Sequence, residues 1–202
     1  MSVKQFKIGT NFSYIIYDDR VKLAVLLDPT IDSSRALSFL QSNHLELKSI
    51  ILTHHHSDHT GDLKTLTSYY PKTQIISSSK ASQTPHKGLV IDDNTTLPMG
   101  AYTLKFLHTP GHSPESMCIQ LDDTALFTGD TLFIGDCGRA DLPGGDIQQL
   151  FSSLQQLKTL PDQLLIYPGH DYGDKQRDTL GHQKQVNHAL LAQTLEDFSK
   201  LP

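Results

Sequence analysis

Apolar residues along this chain fall into short runs separated by Gly, Pro, Asp and Asn, and two different spacings recur. Compact runs rich in β-branched and aromatic residues predict strands at Phe12–Tyr17, Leu23–Leu27, Ser49–Thr53, Gln74–Ser77, Tyr102–Leu107, Met117–Leu121, Ala125–Thr128 and Leu164–Tyr167. The 3, 4, 7 spacing of a helical stripe occupies gaps between them. It is clearest at Asp146–Lys158, where Ile147, Leu150, Phe151, Leu154 and Leu157 share one face and Asp146 stands at the N-cap position. Ser33–Asn43 predicts a second helix, and His188–Lys200 a last one with Leu191, Leu195 and Phe198 on one face. Strands alternating with apolar-faced helices predict sheets covered by helices, an α/β or α+β layered domain.

With 202 residues, no repeat and no Gly/Ser linker, the chain reads as a single domain, residues 1–202, with a short helical tail from about residue 174. A net charge of -5 with no basic block argues against nucleic acid or an anionic membrane as partner. The N-terminus lacks the apolar core of a signal peptide, no run reaches membrane-spanning length, and two cysteines make no disulfide framework. A cytoplasmic setting is expected. Oligomeric state leaves no mark in the sequence.

The 11 histidines change the picture. His54 follows the strand at Ser49–Thr53, and His112 follows Tyr102–Leu107 past a Pro-Gly turn. Asp130 follows Ala125–Thr128, and His170 follows Leu164–Tyr167. Side chains at the ends of packed strands are held by a rigid scaffold and can converge on one point. Within "HHHSDH", His54 and His56 are two apart, so in an extended segment they share a side while His55 points away. A turn after them aims Asp58 and His59 at a second point. The tally is His54, His56 and His112 for one metal, Asp58, His59 and His170 for another, and Asp130 between them. Imidazole with carboxylate suits zinc first, with iron or manganese as alternatives, and a hydrolytic pair sits ~3.5–4 Å apart. Taken singly, a histidine run or a GH or GD pair is an ordinary loop or turn; four together at strand ends point to a metal site.

This set, H-x-H-x-D-H at His54–His59 followed in order by His112, Asp130 and His170, resembles the metallo-β-lactamase-fold superfamily over nearly the whole chain. The resemblance implies a four-layer αββα sandwich with metals at one edge. "TGDTLFIGDCGRADLPGGD" and "YPGHDYG" are similar to the glyoxalase II (hydroxyacylglutathione hydrolase) branch and its persulfide dioxygenase relatives. Class B β-lactamases carry a cysteine where Asp130 stands, which disfavours antibiotic hydrolysis. Glyoxalase II enzymes resemble the chain up to about Gly173 and then add a longer helical region. Where they hold glutathione with a lysine and a tyrosine, this chain has Arg139 and Asp141, closer to short bacterial relatives and persulfide dioxygenases.

The expected reaction is hydrolysis of a small-molecule thioester such as an S-(2-hydroxyacyl)glutathione by a hydroxide bridging two metals, with Asp58 and Asp130 in the catalytic centre. A thioester suits a site with no separate acid, because its leaving thiolate has a pKa of about 8.5. Arg139 is a candidate clamp for a substrate carboxylate, or a partner of Asp141 or Asp136, and Tyr172 a candidate pocket wall. The alternative is a persulfide dioxygenase with a single iron(II) on residues matching His54, His112 and Asp130; a non-catalytic metal-binding protein is the third reading. Cys137 reads as a small buried residue, and His44, His86, His182 and His188 as surface or helix positions. His108 is a candidate neighbour of the site.

Overall fold

The computed structural model describes residues 2–81 and 88–201; His86 lies outside them. Its elements, in chain order, are β1 (Ser2–Ile8), β2 (Asn11–Asp18), β3 (Leu23–Leu27), α1 (Ser34–Ser42), β4 (Glu46–Ile51), α2 (Ser57–Thr60), α3 (Leu63–Tyr69), β5 (Gln74–Ser78), β6 (Leu89–Ile91), β7 (Thr96–Met99), β8 (Tyr102–His108), β9 (Met117–Leu121), β10 (Ala125–Gly129), α4 (Ile147–Lys158), β11 (Leu165–Pro168), β12 (Asp178–Thr179), α5 (Leu180–Val186), α6 (His188–Leu191) and α7 (Leu195–Ser199). They form two six-stranded sheets, ordered β1-β2-β3-β4-β5-β6 and β12-β11-β10-β9-β8-β7.

Three apolar clusters define four layers. Phe12, Tyr14, Ile16, Val25, Leu27, Ile51, Phe106, Ile119 and Phe127 fill the space between the sheets. Alternate residues point the other way: Ile15, Ala24, Leu26 and Ile50 pack outward with Ala36, Leu40, Leu63 and Leu66 of α1 and α3. On the second sheet Leu107, Leu126 and Ile166 pack outward with Leu150, Leu154 and Leu157 of α4 and with Leu180, Leu190 and Phe198. Because helices cover both outer faces, central strands are apolar on both sides and read as continuous runs. The αββα sandwich expected from the resemblance is what the chain forms. Among the described residues, no helix is long and apolar enough to cross a membrane.

Phe127 sits where the two sheets meet. It is 1 % exposed, stacks on Tyr167 with ring centroids 4.9 Å apart, and meets Tyr14 edge-on at 5.4 Å. Phe127→Ala is expected to cost about 3–5 kcal/mol, the usual range for emptying a buried aromatic site. Chemical denaturation reads that loss as a lower midpoint at unchanged slope.

Several boundaries differ from expectation. Edge strands β1, β6, β7 and β12 carry too few buried residues to show an apolar run; β1 buries only Phe6. The run at Ser49–Thr53 belongs to a strand starting at Glu46 and ending at Ile51, so Leu52 and Thr53 already lie in the turn toward His54. The single helix expected over His188–Lys200 is two, α6 and α7. Asn187 caps the first, accepting from the backbone N–H of Ala189 and Leu190, and Thr194 caps the second by accepting from Asp197. A second N-cap inside an apolar pattern restarts the helix. Asp146 caps α4 as expected, accepting from the Gln149 N–H.

Candidate metal centre

In the first sheet β3 and β4 run parallel; in the second, β8 and β10 flank antiparallel β9, and β11 runs parallel to β10. The C-terminal ends of these strands deliver Asp28, His54, His112, Asp130 and His170 to one edge of the sandwich. Backbone bonds tie the sheets together there: the Phe12 N–H donates to the Gly169 carbonyl at 2.8 Å and the Met117 N–H to the Thr53 carbonyl at 3.0 Å.

The expected set converges. His54, His56 and His112 place ligand atoms within 4.8 Å of one another, and so do Asp58, His59 and His170. His56 Nδ1 lies 2.9 Å from His112 Nε2, and His59 Nε2 lies 3.1 Å from His170 Nε2. Asp130 stands between the triads. Its Oδ2 is 3.2 Å from His170 Nε2, 3.6 Å from His112 Nε2 and 4.0 Å from His54 Nε2; its Oδ1 is 3.4 Å from His59 Nε2. The extended backbone of His56 and the turn of α2 behind it send Asp58 and His59 to the second triad. His55 stands outside each of these groups, and its backbone N–H donates to Glu115.

Glycines before two of the site residues allow the close approach. Gly129 has φ +48°, and a Cβ there would meet Thr53 Oγ1 at 2.5 Å. A Cβ on Gly169 would stand 2.2 Å from Asp130 Oδ1. Any larger residue at 169 would displace the carboxylate from the triads.

The hydrogen bonds behind the ligands fix which nitrogen faces in. Asp28, buried, accepts from the Thr53 N–H and Oγ1–H and from His59 Nδ1. With its proton given to Asp28, the Thr53 hydroxyl accepts from His54 Nδ1 at 3.1 Å. His112 Nδ1 donates to the Arg139 carbonyl at 2.8 Å. In His54, His59 and His112 the Nδ1 proton is thus directed outward, and each Nε2 lone pair faces the centre. Lone pairs this close need a cation or proton between them. Two buried atoms there are poorly met: His54 Nε2 has no hydrogen-bond partner, and Asp130 Oδ1 has only the long 3.4 Å contact to His59 Nε2. The donor set of imidazoles plus carboxylates therefore fits divalent metal ions. Asp28, His54 and His59 form a further close group, but Asp28's oxygens already accept from Thr53 and His59, so it supports those candidate ligands from behind. Asp28 and Asn11, whose Nδ2 donates to Asp58 Oδ2 at 2.9 Å, were not expected from sequence.

The charges follow the same geometry. Burial pulls the imidazolium of His59 and His170 down, but bonds to Asp130, with Asp28 for His59 and Asp58 for His170, more than offset it; His170 is raised to about 9. Burial holds His54 and His112 below the usual 6.5. Burial would raise Asp130, yet bonds to His170 and His59 hold it well below the usual carboxylate range. Bonding to His170 likewise lowers Asp58. In the metal-free protein the raised pair contributes stability that is complete below 6.5 and lost as pH climbs above it, for His170 through about 9. The lowered pair opposes it, favouring the fold above 6.5 and weakening it below. Metal-free Tm is expected to peak near pH 6.5 and fall on both sides. Bound metal takes the place of the proton, so calorimetry of the loaded protein should show the alkaline fall flattened.

The site opens into a cleft of about 500 Å³ lined by Asp58, Phe133, Cys137, Arg139, Leu142 and Tyr172, among others. Tyr172 is exposed, stacks flat on His170 with centroids 4.8 Å apart, and meets Phe133 edge-on. Arg139 lines the cleft with its guanidinium held by both oxygens of Asp141 at 2.5 Å, the structural pairing that the sequence left open. Cys137 is half-buried in the cleft wall rather than fully buried, and burial pushes its thiol up to about 12. His108 does not join the cluster; its ring bonds the Pro114 carbonyl within the loop that carries His112. His44 and His182 are exposed, and His188 pairs with Asp136 at 3.0 Å.

Comparison with known proteins agrees with this geometry. The sequence profile of the Metallo-beta-lactamase superfamily matches residues 8–170. A hydroxyacylglutathione hydrolase of Prochlorococcus marinus (strain MIT 9312) is 36 % identical over 157 residues, which cover 76 % of this chain and 63 % of that relative. Among solved structures, ETHE1 from Myxococcus xanthus matches with a TM-score of 0.89 at 29 % identity, over 100 % of this chain and 92 % of that one. TTHA1623 in a di-iron-bound form matches with a TM-score of 0.76 at 25 % identity, over 93 % and 98 %. This chain spans less than two thirds of the length of that hydroxyacylglutathione hydrolase. With its two converging triads and a profile match spanning both sheets, the chain belongs to the metallo-beta-lactamase superfamily.

Proposed function

We propose that this protein is a glyoxalase II-like thioesterase that hydrolyses an S-(2-hydroxyacyl)glutathione or a related thioester, using two divalent metals, zinc first. One observation carries the reading: two adjoining ligand triads, with Asp130 between them, form the floor of an open cleft. When bound, such a metal pair supplies hydroxide at neutral pH and draws charge from a carbonyl oxygen. His54, His56 and His112 would hold the first ion, Asp58, His59 and His170 the second, with Asp130 placed to reach both sets. Tyr172, stacked on His170, and Phe133, edge-on to Tyr172, give the acyl group an aromatic wall, and Arg139 exchanges Asp141 for a substrate carboxylate. The relative from Prochlorococcus marinus supports the substrate class.

A second reading rests on a specific subset. His54 Nε2 and His112 Nε2 stand 4.0 and 3.6 Å from Asp130 Oδ2, a two-histidine, one-carboxylate set suited to a single iron(II) and a persulfide dioxygenase reaction. Assaying one preparation for S-lactoylglutathione hydrolysis and for oxygen uptake on glutathione persulfide separates the two. Thioester cleavage without oxygen uptake supports the thioesterase; the reverse overturns it.

A further inference from the structure

The segment from Phe133 to Arg139 forms one wall of the cleft, and it is held from behind by the C-terminal tail. Asn187 is fully buried, and its Nδ2 donates to the Phe133 carbonyl at 3.1 Å and the Asp136 carbonyl at 3.0 Å. Its Oδ1 meanwhile caps α6. Buried Gln183 accepts from the Gly135 N–H at 2.7 Å, and Asn187 Nδ2 also lies 3.3 Å from its Oε1. Outside this core, His188 Nε2 reaches Asp136 Oδ1 at 3.0 Å. The stretch of wall from Phe133 to Asp136 is therefore gripped by side chains 183, 187 and 188. None of the three lines the cleft, and none belongs to a candidate metal triad.

We propose that Asn187 is a positioning residue for substrate recognition: its amide fixes the Phe133–Arg139 wall, so the tail sets the shape of the cleft without touching the metals. The kinetic half of this proposal rests on the thioesterase reading; the structural half does not. A buried amide that donates to two carbonyls cannot be replaced by a carboxylate of the same shape without losing both bonds. Asp remains as good an N-cap as Asn. Asn187→Asp thus keeps the helix start and removes the grip.

The test uses the metal-loaded full chain and two readouts. Cys137 lies within the wall, whereas Cys118 is fully buried, so alkylation of each thiol by iodoacetamide, followed by mass spectrometry, reports on the wall separately from the core. In Asn187→Asp, Cys137 is expected to react about fivefold faster or more, at least the scale of one of the two lost hydrogen bonds, with Cys118 protection and metal content unchanged. KM for S-lactoylglutathione should rise about fivefold with kcat within about twofold. Wild-type labelling of Cys137 in this variant overturns the proposal, as does faster labelling of both thiols together, which marks general loosening. Should Asn187→Asp fail to fold, His188→Ala removes only the outer contact and is expected to speed Cys137 labelling by a smaller factor; no change there is the contrary result. If wild-type protein cleaves no thioester, the thioesterase reading fails, and the labelling alone decides the role of Asn187.

Discussion

Asp130→Ala is expected to lower turnover on the order of a thousandfold and to release metal. The carboxylate is 8 % exposed and reaches nitrogens of both triads, at 3.2 Å to His170 and 3.6 Å to His112. Without it, the imidazoles of both triads remain at short range with little negative charge to balance the two proposed dications, and the candidate joint ligand is lost. Kinetics with metal analysis on the same sample read both losses. The matched control is His55→Ala, which alters a histidine beside the ligands in sequence but in neither triad, and is expected to keep its metal and most of its activity. Near-normal turnover in Asp130→Ala would remove the basis for a shared carboxylate.

Asp28→Asn is expected to weaken metal binding about 10–100-fold while leaving every proposed ligand in place. This one carboxylate orients a histidine of each triad: it accepts directly from His59 Nδ1 and, through the Thr53 hydroxyl, sets His54. An amide nitrogen in place of Oδ2 would oppose two donors at once. His59 or His54 would then lose the outward proton direction that aims its Nε2 lone pair at the centre. Competition against a chelator of known affinity measures the change, and unchanged affinity would show that the ligands hold their tautomers without Asp28.

Much of this site is legible because its residues stand immediately beyond apolar strands, and strand ends are readable from pattern alone. His54, His112, Asp130 and His170 each follow such a run, and glycine before three of them marks where backbone and carboxylate pack closely. Asp28 obeys the same rule after Leu23–Leu27 yet does not stand out, because Asp before Pro is also what an ordinary turn carries. Asn11 starts a strand at the opposite end of the chain from His170, and only the closed sandwich brings them together. The tail is harder still. Asn187 reads as a helix cap, and nothing local shows that its amide holds the carbonyls of Phe133 and Asp136, about fifty residues away. Such contacts depend on tertiary placement, which periodicity does not carry.

The central claim is that this cleft holds two metals and uses them for hydrolysis. It is tested most directly by counting metal ions per chain, by elemental analysis, in protein titrated from metal-free to full thioesterase activity. Activity that saturates at two ions per chain is the predicted result. Saturation at one ion, or full metal loading with no cleavage of S-lactoylglutathione, would contradict it.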